Sequence, residues 1–441
     1  MQAATTLRGE GPTVGTSRNV ERRTILKVAG GAAATLGLAA TTACGGDSGS
    51  GDGNVTLRYA WWGGEPRTIA MKKAIAVFEK KNPKIKIKPE FTDYAAFWEK
   101  FQTQASGGNP PDVFQNAVGF LRKYDKRGVL MDLKSQADSG NLDLKNFRNG
   151  VLANGQVDGK QLGIPVGANT MALVIDLKAF KKAGVEAKMG WTWDEYFDAL
   201  QTIQDKLKIA GDTGYFGIMY LYDLYLRQNG KAFFTDTDLG FTEDDLTQWW
   251  TDGYKRVKSG LVADPKKIEQ VQPKSGLSAG LAASEFTWDN FSIRYEGEGE
   301  SDYGLAPIPT TDGKDTGQYL GSLMLSAFSG TKHPKEAAQF ISFMVHDPEV
   351  GKIMGYDRGI LATTEQYDAF VPTDDNNKGV KAYEEEVAKA GVLGKITPHP
   401  SGADVVEAAF LRIAAEVSQG KTKPADAAKA LFSEAKAAFA G

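Results

Sequence analysis

Residues Val55–Phe91, VTLRYAWWGGEPRTIAMKKAIAVFEKKNPKIKIKPEF, change hydrophobic period twice. Val55, Leu57, Tyr59 and Trp61 alternate with Thr56, Arg58 and Ala60, which predicts a strand. From Arg67 to Lys81 the apolar residues Ile69, Ala70, Ala74, Ile75, Val77 and Phe78 fall at helical spacing, and Asn82-Pro83 stops the run. Lys84 to Phe91 alternates again. Strand, helix and strand in so short a span predict a β-α-β unit with parallel strands and a right-handed crossover. The fold class that follows is α/β.

Similar signals continue along the chain. PDVFQNA (Pro111–Ala117), TMALVIDL (Thr170–Leu177), YFGIMY (Tyr215–Tyr220) and ASEFTWDN (Ala283–Asn290) read as strands. Thr192 and Glu195 in WTWDEY form a capping box for a helix toward Leu207, which assigns Trp191 and Trp193 to the interior. Gly402 to Gly420 and Pro424 to Phe439 read as two amphipathic helices.

In open α/β sheets ligands sit beyond the carboxyl ends of the strands. Four of the expected strand ends carry rings or amides: Trp62 with Glu65, then Asn116, then Tyr220 with Tyr222, then Trp288 with Asn290. Aromatic faces and amides together suit a ligand with apolar C–H faces and a rim of hydroxyls, as in a neutral sugar.

Upstream of Val55 the sequence reads as an address. Arg22 and Arg23 precede Ile25-Leu26-Lys27 in a pattern resembling a twin-arginine export signal. The uncharged, Ala/Gly-rich run Val28–Ala43 has 16 residues, short of the ~20 that span a bilayer comfortably. TTAC resembles a lipobox, so Cys44 is expected to be lipidated and to become the new N-terminus. It is the only cysteine in 441 residues, which excludes an internal disulfide. Residues 1–44 are therefore the expected leader and 45–54 a polar linker. The net charge of −3 falls further once the basic leader is removed, which argues against nucleic acid as a partner.

These residues resemble the extracellular solute-binding proteins of ATP-binding-cassette importers for sugars, the maltose-binding type. The resemblance is carried by WWGGEP followed by AVFEKKNPKIKI, and by ASGGNPPDVFQ, GIPVGANTMALVIDLKAF, WTWDEY, GLAPIPT, KEAAQFISFMVHDPE and DRGILAT, in that order. The leader is similar to those of actinobacterial lipoproteins. The resemblance implies a two-lobe periplasmic-binding-protein-like fold, each lobe a central, mostly parallel sheet flanked by helices. Residues 55–169 plus 319–361 would form lobe 1, and 170–318 plus 362–441 lobe 2, joined by hinge crossings.

It further implies a ligand set of Trp62, Glu65, Asn116 and Phe120 on one side, Asn169 at a hinge, and Tyr220, Tyr222, Trp288 and Asn290 on the other. Gly321, Ser322 and Arg358 follow the later crossings, and His399 stands where the family sometimes places an aromatic ring. The implied partners are a small-molecule carbohydrate, the membrane permease of an ABC importer, and the membrane through the lipid anchor. The protein would act as a monomer on the outer face of the cytoplasmic membrane.

Two other functions compete with this one. A surface-anchored glycoside hydrolase would need two carboxylates across a sugar, for which Glu65 and Asp289 are the candidates. GLSAG around Ser278 matches G-x-S-x-G, but no apolar strand precedes it. A binding protein for a charged solute would show clustered basic or acidic residues at the strand ends, where rings and amides dominate. No P-loop or H-E-x-x-H is present, and Asp236–Asp245 departs from calcium-loop spacing, so no metal or cofactor is expected and the chain reads as a non-enzyme.

Overall fold

The computed structural model describes residues 54–313, 318–321, 323–394 and 399–440. The expected export signal, Cys44, most of the expected linker and Ser322 lie outside the described residues. The leading unit forms as its periodicity predicts. Strand β1 (Val55–Trp62) pairs in parallel with β2 (Ile85–Thr92), in register from Val55↔Ile85 to Trp62↔Thr92. The intervening helix, Glu65–Lys81, begins with Pro66 in its first turn and ends where the Asn82 side chain donates to the Phe78 carbonyl at 3.0 Å.

β3 (Val113–Ala117) joins the other edge of β1 in parallel. Beyond β3 the chain forms a small hairpin of β4 (Gln156–Val157) and β5 (Lys160–Gln161), then β6 (Ile164–Pro165). Strand β7 (Gly167–Asp176) follows after a single residue, Val166, but belongs to a second sheet. That sheet also holds β8 (Ala210–Asp212), β9 (Ala282–Trp288), β10 (Tyr303–Ala306) and β11 (Gln318–Gly321). One residue later β12 (Leu323–Ala327) is back in the first sheet, whose order is β2-β1-β3-β12-β6. The chain crosses a third time to β13 (Ile360–Leu361), which pairs with β7, and β14 (Leu393–Gly394) closes the far edge beside β11.

Both sheets are mixed, not mostly parallel. β12 runs antiparallel to β3 and β6, and β9, β10, β11 and β13 all run antiparallel to β7. Parallel neighbours need a long crossover, whereas a strand that returns directly across a hinge arrives reversed.

Each sheet is covered on two faces. Leu57, Tyr59 and Trp61 bury against Met71, Phe78, Phe340 and Met344 of the helices Glu65–Lys81 and Pro334–His346. Ala60, Trp62 and Phe114 bury on the opposite face with Phe97, Phe101 and Tyr124 of Tyr94–Ser106 and Leu121–Lys126. Around β7, Leu173 and Ile175 join the aromatic core with Phe180, Tyr196 and Phe286, while Ala172 packs with Tyr383 and Val387 on the other face. Among the described residues no helix is long and apolar enough to cross a membrane.

One expected strand is absent. Tyr215–Gly217 is a 3-10 turn and Met219–Gln228 an α-helix. The Asp212 carboxylate at the end of β8 accepts the backbone N–H groups of Gly214 and Tyr215, each at 2.7 Å, and turns the chain out of the sheet. The capping box of Thr192 and Glu195 forms as expected, and Trp191 and Trp193 are buried.

Candidate functional site

β9 ends in Trp288, half-buried at the junction of the two sheets. The Tyr220 ring, in the first turn of Met219–Gln228, lies 5.6 Å from it at 58°. Gly321 comes up behind the indole, and a Cβ there would stand 2.9 Å from the Trp288 ring. Gly321 is in register with Asn169 across β11 and β7. The Asn169 side-chain oxygen is buried without a hydrogen-bond partner. Gly359, at φ +93°, lies so close that a Cβ would meet that oxygen at 2.4 Å, so only glycine fits this approach. Asn290 donates to the Asp357 carbonyl at 3.3 Å and leaves its own oxygen buried and unbonded. Three chain crossings thus bring Trp288, Gly321, Asn169 and Asn290 into one neighbourhood.

The first sheet supplies a facing group of rings. Trp62 is 7% exposed and is held by Phe97, Tyr94 and Trp98 at 5.0, 5.4 and 5.6 Å. Trp98 stacks on Phe120 at 3.6 Å and 15°. A Cβ on the neighbouring Gly119 would lie 3.6 Å from Nδ1 of His399. The His399 ring lies 4.9 Å from Phe234 and 6.2 Å from Tyr220. The result is an arc from Trp62 through Trp98, Phe120, His399 and Tyr220 to Trp288, which passes from one sheet's helices to the other's. Lys123 and Asp404 tie its two halves by an ion pair. Burial holds His399 down to about 4, so its ring is neutral at pH 7. Beside Tyr220, burial pushes the Glu407 carboxyl up to about 7, although the Tyr220 hydroxyl donates to it at 3.4 Å.

The remaining sequence candidates have other settings. Asn116 is fully buried and internally satisfied: it donates to Ser326 at 3.0 Å and accepts from the Ala117 backbone at 2.8 Å. Tyr222 is core, packed among Phe233, Phe241, Trp249 and Phe410. Glu65 is exposed at its helix start, where its charge suits the dipole. Arg358 is 2% exposed, with all three guanidinium nitrogens unbonded. Burial lowers its pKa, and its backbone lies between Asp357, whose carbonyl Asn290 bonds, and Gly359, which abuts Asn169.

The two hydrolase candidates differ in setting, Glu65 being exposed and Asp289 buried. Asp289 is fully buried and accepts backbone N–H groups from Asn290 at 2.7 Å and Thr170 at 3.3 Å. Burial and the adjacent Glu384 carboxyl push it well up. The Ser278 hydroxyl sits in a turn against the Ser275 carbonyl and Glu298.

Tyr94, Trp98, Phe234 and Glu407 were not singled out from the sequence. YAAFWEKF, with rings at the first, fourth, fifth and eighth positions behind the capping Asp93, is a helical signal for the first two. Two cavities of about 420 and 470 Å3, the first walled by Phe216, Val257, Ile268 and Leu411 and the second by Phe78, Phe343 and His346, share no residue with the arc.

Two covered sheets joined by direct crossings, with a ring-lined seam between them, define a solute receptor of the periplasmic-binding-protein fold. The chain belongs to the bacterial extracellular solute-binding proteins, whose family model matches residues 64–350. It is 26% identical over 338 residues to the diacetylchitobiose binding protein DasA of Streptomyces coelicolor, covering 73% of this chain and 74% of that one. It is 29% identical over 289 residues to the putative ABC transporter periplasmic-binding protein YcjN of Escherichia coli, covering 64% and 66%. An extracellular solute-binding protein of family 1 from Alicyclobacillus acidocaldarius superposes with a TM-score of 0.68 at 26% identity, over 88% of this chain and 99% of that one.

Proposed function

We propose that this protein captures a neutral mono- or oligosaccharide between its two lobes and delivers it to an ABC importer. The observation that carries the reading is the meeting of Trp288 and Tyr220 with the unbonded oxygen of Asn169 at the crossings. The rings offer faces for sugar C–H groups, and the amide oxygen offers an acceptor for a hydroxyl. The names of the two curated relatives, one a sugar binder and one a transporter component, support the same reading.

In this reading Trp288, Tyr220, Phe120 and His399 contact the sugar rings, Asn169 and Asn290 bond hydroxyls, and Trp62 supports the first wall from behind. The lobes divide at the crossings near Val166, after Gly321 and before Ile360, and solute closes them by contacting both walls at once. The leader through residue 43 is removed, acylated Cys44 anchors the protein outside the cytoplasmic membrane, and residues 45–54 serve as the leash.

The test is thermal melting of the mature protein against neutral oligosaccharides, polyamines and organic acids. A sugar ligand raises Tm in step with its concentration, following RT ln(1 + [L]/Kd). A response confined to the charged solutes would replace this reading. Analysis of the bound sugar for cleavage separates binding from hydrolysis.

A further inference from the structure

Glu407 occupies a position that the sugar reading leaves without a role. It lies on the helix Ala403–Ser418, half-buried, with its carboxylate beside Tyr220 and within reach of Tyr94. The Tyr220 hydroxyl reaches it at 3.4 Å, a long bond that a better-placed donor can replace. Tyr220 in turn packs on Trp288 and beside His399, so the carboxylate lies at the edge of the ring arc.

The charged and titratable groups around it leave it without a cation. On its own helix Asp404, one turn earlier, is occupied by Lys123 of the opposite wall. Tyr94, on Tyr94–Ser106, feels both Glu407 and Asp404 and is held up to about 12 mainly by burial. His399 is neutral at pH 7 and lies within reach of the charges of Asp223 and Arg227, which pair with each other at 2.9 Å. No basic side chain therefore neutralises Glu407 among the described residues.

Resting on the sugar reading, we propose that Glu407 is a specificity-determining residue that accepts hydrogen bonds from hydroxyl or amide N–H donors of the bound sugar, so that capture of the solute releases a proton. An ionised carboxylate accepts at both oxygens, whereas the protonated acid turns one of them into an O–H donor, and a bond from a neutral donor to an ionised acceptor is stronger than a neutral one. In the free protein burial keeps the carboxyl near half-protonated at pH 7. A ligand that donates to it favours the ionised form and lowers its pKa, and by linkage affinity weakens as pH falls through the free-state value.

The experiment titrates the mature protein by calorimetry from pH 8 to 5.5. The ligand is whichever of diacetylchitobiose, maltotriose, cellobiose and xylobiose gives the largest melting shift. Wild type is expected to lose affinity by about tenfold over that range and to release protons, seen as heats that depend on the buffer's ionisation enthalpy. Glu407→Gln cannot ionise and is expected to bind more weakly at pH 8, with a nearly flat pH profile and no buffer dependence. Tyr220→Phe removes a hydrogen bond that favours the ionised carboxyl, so it should move the midpoint to higher pH, which a merely structural Glu407 would not do. If Glu407→Gln keeps the wild-type profile, the inference is overturned while the sugar reading stands. If none of the four sugars shifts wild type, both are overturned.

Discussion

Gly321 backs the indole of Trp288 so closely that a single added carbon would lie 2.9 Å from the ring. The ring's position is therefore set by the absence of a side chain on a strand of the other crossing. Gly321→Ala is expected to push Trp288 off its seat and weaken sugar binding by about fivefold or more, the worth of one aromatic contact. The melting temperature of the free protein should change little. Calorimetric titration beside thermal melting separates the two effects, and unchanged affinity would remove Trp288 from the site.

Trp288→Ala and Tyr220→Ala should each cost more, about tenfold in affinity, because each removes a stacking face outright. Tyr222→Ala should act differently. That ring lies in the core among Phe233, Phe241 and Trp249, so the loss appears as about 3 kcal/mol of stability, read from urea unfolding.

Lys123 and Asp404 join the two walls, with side chains 15% and 16% exposed. Lys123→Met leaves a largely sheltered Asp404 without its partner and should bias the free protein toward an open form. Small-angle scattering would show a larger radius of gyration without sugar, restored when sugar is saturating. Identical scattering curves for variant and wild type would contradict the proposed opening.

His399 has a folded pKa of about 4 against an ordinary 6.5. Between those values the unfolded chain binds the proton and the folded one does not, so this residue makes stability fall as pH drops from about 6.5 to about 4. His399→Gln should flatten that part of the pH dependence of Tm, and an unaltered slope would count against the neutral buried ring.

Cys44→Ser is expected to abolish incorporation of labelled fatty acid and to release the protein from the membrane fraction. Retention of label would refute the anchor.

The β1-helix-β2 unit was legible because burial there follows simple periods of 2 and 3.6, and Trp62 and Trp288 fell at strand ends as read. Tyr220 and Tyr222 show what sequence could not separate. On a strand both would face one side, but on the helix that forms they point about 200° apart, so one meets Trp288 and the other enters the core. Asn116 was equally ambiguous: its amide is used by Ser326 of β12, some two hundred residues away in sequence. Glu407 carried no local mark, since only the packing of Tyr220 against its helix gives that carboxylate its setting.

Only Val166 separates β6 from β7, and only one residue separates β11 from β12. With so little slack at two of the three crossings, a swing about a line drawn near those joints is the expected relative motion of the proposed lobes. A jaw of that kind would gape widest at the edge remote from the joints, which makes that edge the expected route for a solute.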